Sequence, residues 1–131
     1  MFEKIRNKMF KRNMDSYEIN MDELKNKQNK GAVIVDVRSS QEYNEGHLSG
    51  AINIPYYEIK KKVNNIIKDK TQEIVVYCQE GVRSKQAYKI LKRFQYEKVY
   101  SLYHGLENWI WKKCRLTKNK IGVIKIKNFK I

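Results

Sequence analysis

Cys78 and Arg83, five positions apart, are the pair in this sequence best suited to chemistry. They lie in EIVVYCQEGVRSKQAYKIL, residues 73–91, where an apolar run gives way at once to the cysteine. A thiolate is a strong nucleophile, and thiols ionise more readily at a helix N-terminus or beside Arg. A chain running from a strand end through a tight turn into a helix can point its backbone N–H groups inward, where the unpaired amides of the first helical turn join them. Such a cradle favours anions. Gly81 gives the turn its backbone freedom, and Arg83, permanently charged and fork-shaped, would hold an anionic substrate beside the sulfur. The chemistry implied is an activated sulfur nucleophile with an anion pocket.

A site of that kind needs a strand before it and a helix after it, and the apolar periodicity supplies both several times over. Residues 16–19 suit a short strand. Asn20 then caps a helix over MDELKNKQ, with Glu23 completing a capping box. AVIVDV (32–37) is a continuous apolar run of the kind that buried parallel strands show. Ser39 or Ser40 caps a short helix that stops at Gly46. AINI (51–54) is a strand broken by Pro55, and YYEIKKKVNNIIKDK places Ile59, Val63, Ile66 and Ile67 at helical spacing. After the strand EIVVY, the helix SKQAYKILKRF carries Ala87, Ile90, Leu91 and Phe94 on one face. KVYSL is a fifth strand, and GLENWIWKK is a helix able to bury Leu106, Trp109 and Ile110. Alternating strands and helices predict an α/β fold: a five-stranded, mainly parallel sheet flanked by helices on both faces, because crossovers between parallel strands are right-handed. In such sheets ligands sit beyond the carboxyl ends of the strands, which is where Cys78 falls.

The 131 residues suit one domain. The net charge of +14 resides at the ends: residues 1–13 hold five Lys/Arg and one acid, residues 112–131 eight and none, and the stretch between fifteen against thirteen. The expected organisation is a basic N-terminal extension (1–14), a domain (15–112) and a basic C-terminal extension (113–131). AT-rich coding produces such tails by itself; contact with nucleic acid, an anionic membrane or an acidic partner is the lesser reading. No apolar run approaches the ~20 residues of a membrane span, and the N-terminus lacks the apolar stretch of a signal peptide, so a cytoplasmic location is expected. Two cysteines, Cys78 and Cys114, make neither a disulfide framework nor a metal site. No metal or cofactor is expected.

The run VIVDVRSSQEYNEGHLSGAINIP (33–55), with CQEGVRS (78–84) and LYHGLENW (102–109), closely resembles the rhodanese domain of the thiosulfate sulfurtransferase superfamily, over about residues 15–112. The resemblance implies a sulfurtransferase in which Cys78 takes sulfane sulfur from thiosulfate or a persulfide donor, holds it as a persulfide and passes it to cyanide, a thiol or a protein. It also implies that Gln79, Glu80, Gly81, Val82 and Arg83 form the substrate-binding loop, with Arg83 contacting the substrate anion. Cysteine-dependent phosphatases use a C-x5-R loop to surround a tetrahedral phosphate. Here four residues intervene, which suits sulfur, and Ser84 is expected to start the following helix. The alternatives are a non-catalytic rhodanese-like binding module and, further off, a phosphatase or arsenate reductase.

Asp36 and Arg38, after the buried strand, are supporting residues expected to pair with neighbours and brace the loops. His47 is expected to make a structural hydrogen bond, since a preformed thiolate needs no base. Cys114 is read as incidental to the sulfur chemistry. Gln95 and His104 replace glycines usual in the family, and Glu80 opposes a dianion such as thiosulfate. Residues 121–131 suit an edge strand, and Phe2, Ile5 and Met9 a short amphipathic helix.

Overall fold

The computed structural model describes residues 14–107 and 109. The expectations for the N-terminal helix, Ile110, Cys114 and the C-terminal strand lie outside those residues. Five strands form one sheet: β1 (Glu18–Ile19), β2 (Val33–Asp36), β3 (Ile52–Asn53), β4 (Ile74–Tyr77) and β5 (Val99–Leu102). Their spatial order is β1-β5-β4-β2-β3, and every pairing is parallel. β4 is central, with Asp36 of β2 in register with Tyr77.

Four helices connect the strands: α1 (Met21–Asn29), α2 (Ser40–Glu45), α3 (Ile59–Ile66) and α4 (Val82–Arg93). Capping boxes start the first two, Asn20 with Glu23 and Ser39 with Glu42, so polar groups three residues apart satisfy amides that the helix itself leaves unpaired. The pleat of β4 sends alternate side chains to opposite layers. Val75 and Tyr77 join Leu24 of α1 and Leu106 in one core. Ile74, Val76 and Cys78 join Ile59 and Val63 of α3 and Ala87 and Leu91 of α4 in the other. Helices thus cover both faces, as the crossover rule requires.

Three local expectations change. β1 is shorter than 16–19, because the Glu18 amide bonds back to the Asp15 carbonyl and closes a turn. The helix expected after Pro55 opens as a 3-10 turn (Tyr56–Glu58) and ends at Ile66, which is 48% exposed. Ile59, Val63 and Ile67 form the buried stripe at intervals of four, and Ile66 falls outside it. Finally, α4 begins at Val82 rather than at Ser84. Gly81 adopts a left-handed conformation (φ 94°) and turns the chain directly into the helix, so Val82 and Arg83 belong to its first turn.

Candidate active site

Cys78 follows β4 directly, and its side chain faces the α4 layer, 1% exposed. The Gly81 amide donates to Sγ at 3.0 Å and the Ser84 amide at 3.3 Å. Two N–H groups and the N-terminal turn of a twelve-residue helix therefore converge on the sulfur, an arrangement that stabilises negative charge. The Ser84 hydroxyl lies 3.5 Å from Sγ, donates to the Gly81 carbonyl at 3.1 Å and receives the Ser101 hydroxyl at 2.8 Å. Both serines are fully buried. The Ser101 hydroxyl holds Ser84, and Ser84 holds the turn.

The turn is braced from a third side. The Leu106 amide donates to the Cys78 carbonyl and the Glu107 amide to the Gln79 carbonyl, each at 3.0 Å. This close approach depends on Gly105, where a Cβ would stand 2.5 Å from the Cys78 oxygen and 2.6 Å from that of Gln79, both backbone atoms with no freedom to withdraw. Its φ of 67° is also one that side chains disfavour. His104, beside it, adopts φ 57° and Gln95 φ 70°, so both residues that replace family glycines keep a glycine-like backbone.

A cleft of about 280 Å³ opens over the sulfur, lined by Glu42, Cys78, Gln79, Glu80, Val82 and Arg83. Glu80 and Val82 are exposed. Arg83 reaches across to Glu42, Nη1 to Oε1 at 2.8 Å and Nη2 to Oε2 at 3.0 Å. Hydrogen bonding from Arg83, helped by the Ser39 amide and hydroxyl and opposed by burial, holds the Glu42 carboxyl at about 2 against an ordinary 4.5. The same bond raises the Arg83 pKa. Because the folded value is depressed, the stabilisation is full above pH 4.5 and disappears as pH falls through about 2. The two side chains are 33% and 29% exposed, so the pair contributes on the order of 0.5–1 kcal/mol. Glu42→Gln is expected to be less stable than the parent by that amount at neutral pH, and the gap to close between pH 4.5 and 2 in urea titrations. A gap unchanged at low pH would refute the assignment.

Asp36 and Arg38 form a buried pair that is linked to the loop through Gln79. Arg38 Nη2 lies 2.7 Å from Asp36 Oδ2 and its Nε donates to Oδ1 at 3.0 Å. Nη2 also donates to the Gly46 carbonyl at 2.6 Å, and Nη1 reaches Gln79 Oε1 at 3.4 Å. The Tyr77 hydroxyl donates to Asp36 Oδ2 at 2.9 Å and accepts the Leu48 amide. Burial works against charge on Arg38, and the hydrogen bonds to Asp36 more than restore it. These two residues thus pair with each other and tie the loop after β2 to Gln79. His47 Nδ1 donates to the Tyr43 carbonyl at 2.8 Å, and the two rings stack, which is the structural role expected of it. Leu106 is fully buried and Trp109 packs half-buried on the same core.

Ser84, Ser101, Glu42 and Gly105 are the site residues that sequence reasoning missed as such. Glu42 had a signal, as the fourth residue of the S-x-x-E capping box begun by Ser39. Ser101 had none, being one polar residue in an apolar strand. Among the described residues no cluster of three His, Cys, Asp or Glu is placed to hold a metal, and no helix is long and apolar enough to cross a membrane.

The family model of the rhodanese-like domain matches residues 20–112. The chain belongs to the rhodanese-like family. It is 40% identical over 65 residues to the thiosulfate sulfurtransferase PspE of Escherichia coli, covering 50% of this chain and 62% of that one. To the thiosulfate:glutathione sulfurtransferase of Saccharomyces cerevisiae it is 30% identical over 111 residues, covering 75% and 79%. Among solved structures, a rhodanese with anions from E. coli superposes with a TM-score of 0.55 at 36% identity, over 60% of this chain and 91% of the other. The match spans only 42–62% of the length of relatives from Bacillus subtilis and E. coli. Two of these relatives bear sulfurtransferase names, while others that share a similar stretch are named tRNA uridine(34) hydroxylase.

Proposed function

We propose that this rhodanese-like domain transfers sulfane sulfur through a persulfide on Cys78. The observation that carries the reading is the convergence of the Gly81 and Ser84 amides on Sγ at the base of an open cleft. The thiolate attacks the outer sulfur of a donor; an S–S bond forms on Cys78, the donor's own bond to that sulfur breaks, and its electron pair leaves with the donor. With thiosulfate the leaving group is sulfite. A thiophilic acceptor such as cyanide, a thiol or a protein cysteine then takes the outer sulfur and regenerates the thiolate, so no external oxidant is consumed. Amides already aimed at the sulfur stabilise charge there without reorganising. Gln79 to Arg83 line the approach, and Asp36 and Arg38 brace the loop through Gln79.

The test is intact mass spectrometry after exposure to thiosulfate or cysteine persulfide. The expected product is one added sulfur atom, localised to Cys78 and removed by cyanide. No adduct with either donor would reject the reading.

A further inference from the structure

The cleft carries three ionic side chains, Glu42, Glu80 and Arg83. Both terminal nitrogens of Arg83 are taken by Glu42. The Ser39 amide and hydroxyl, each 3.1 Å from Oε1, anchor that carboxylate to its own helix independently of the arginine. An incoming anion therefore meets a guanidinium whose end-on fork and charge are already matched by a carboxylate, with only its remaining N–H groups to offer, and exposed Glu80 adds a second carboxylate. The lining counts one positive charge against two negative. The amides at Sγ still favour negative charge on the transferred sulfur itself. The electrostatic bias therefore falls on the part of the donor that remains outside, its leaving group.

We propose that Glu42, by occupying Arg83, selects sulfane sulfur carried on a thiol over donors whose leaving group is an oxyanion. This rests on the sulfur-transfer reading above. With a hydropersulfide, the Cys78 thiolate bonds to the outer sulfur, the inner S–S bond breaks, the donor departs as a thiolate with the bonding pair, and the proton travels with the transferred sulfur. One negative charge is present throughout. The thiosulfate reaction puts three negative charges in the same cleft, two on the donor and one on the thiolate, where two carboxylates face them and the arginine is already neutralised.

The experiment is single-turnover loading of Cys78, followed by intact mass against donor concentration, with thiosulfate and with cysteine persulfide. In Glu42→Gln the half-saturating thiosulfate concentration is expected to fall about tenfold relative to that for cysteine persulfide. Glu80→Gln, an exposed change that does not disturb the ion pair, shifts thiosulfate in the same direction. The gain is lost in Glu42→Gln/Arg83→Gln, because the benefit comes from the freed guanidinium. Thiosulfate saturation unchanged in both single variants, or an equal shift for both donors, overturns the proposal. Failure of either donor to load the parent protein is a different result: it removes the sulfur-transfer reading and this proposal with it.

Discussion

Cys78→Ser is expected to reduce sulfur transfer to cyanide by roughly a thousandfold or more, to the uncatalysed background, with either donor. A serine oxygen is essentially un-ionised at neutral pH and forms no stable link to sulfane sulfur, so both halves of the reaction lose their carrier. The amides of Gly81 and Ser84 would still point at the replaced atom. Serine is slightly smaller and remains hydrogen-bonded, so the fold should survive with a change of about 1 kcal/mol or less. Thiocyanate formation measures the activity, and thermal unfolding of the same sample separates lost chemistry from lost structure. Retained turnover in a folded Cys78→Ser protein would reject a persulfide on this residue.

Asp36→Ala is expected to be the most damaging single change to stability away from the sulfur, at roughly 3–5 kcal/mol. Asp36 is fully buried and Arg38 is 5% exposed. Removing the carboxylate strands a guanidinium in the interior and deprives the Tyr77 hydroxyl and the Arg38 amide of their acceptor. A loss of this size is a large share of the ~5–15 kcal/mol that ordinarily holds a domain together. Asp36→Asn keeps one acceptor oxygen and should lose less. Urea unfolding midpoints for the two variants measure the difference, and a cost for Asp36→Ala below about 1 kcal/mol would show that the buried pair is not a stabilising contact. Because Arg38 also reaches Gln79, the folded fraction of Asp36→Ala should load sulfur more slowly than the parent.

Most of the fold was legible because its signals are local. A continuous apolar run marks a strand buried on both faces, as β2 and β4 are. Asn20 with Glu23 and Ser39 with Glu42 mark helix starts through contacts only three residues long. The turn from Cys78 into α4 was legible for the same reason, and only its boundary moved, since the positive φ of Gly81 starts the helix two residues before Ser84. The chain order of strand, cysteine, glycine and arginine, together with the rhodanese-like motifs around it, therefore determined the parallel α/β architecture and pointed to Cys78 as the candidate nucleophile.

The remaining site contacts depend on strand order and register, which local periodicity does not encode. Placing β4 between β2 and β5 sets Tyr77 beside Asp36 and brings Ser101 to Ser84 beneath the sulfur. Packing α2 near the start of α4 joins Glu42 to Arg83 across 41 positions of chain, so the arginine expected to face a substrate anion also has an ion-pair partner. Gly105 meets the loop carbonyls only once β5 lies beside β4. The sequence by itself singled out Cys78 as the proposed sulfur carrier, because a nucleophile's cradle is built from adjacent residues. Tertiary structure alone decided the charge that surrounds it, because ion pairs form between side chains that only the completed sheet brings within reach.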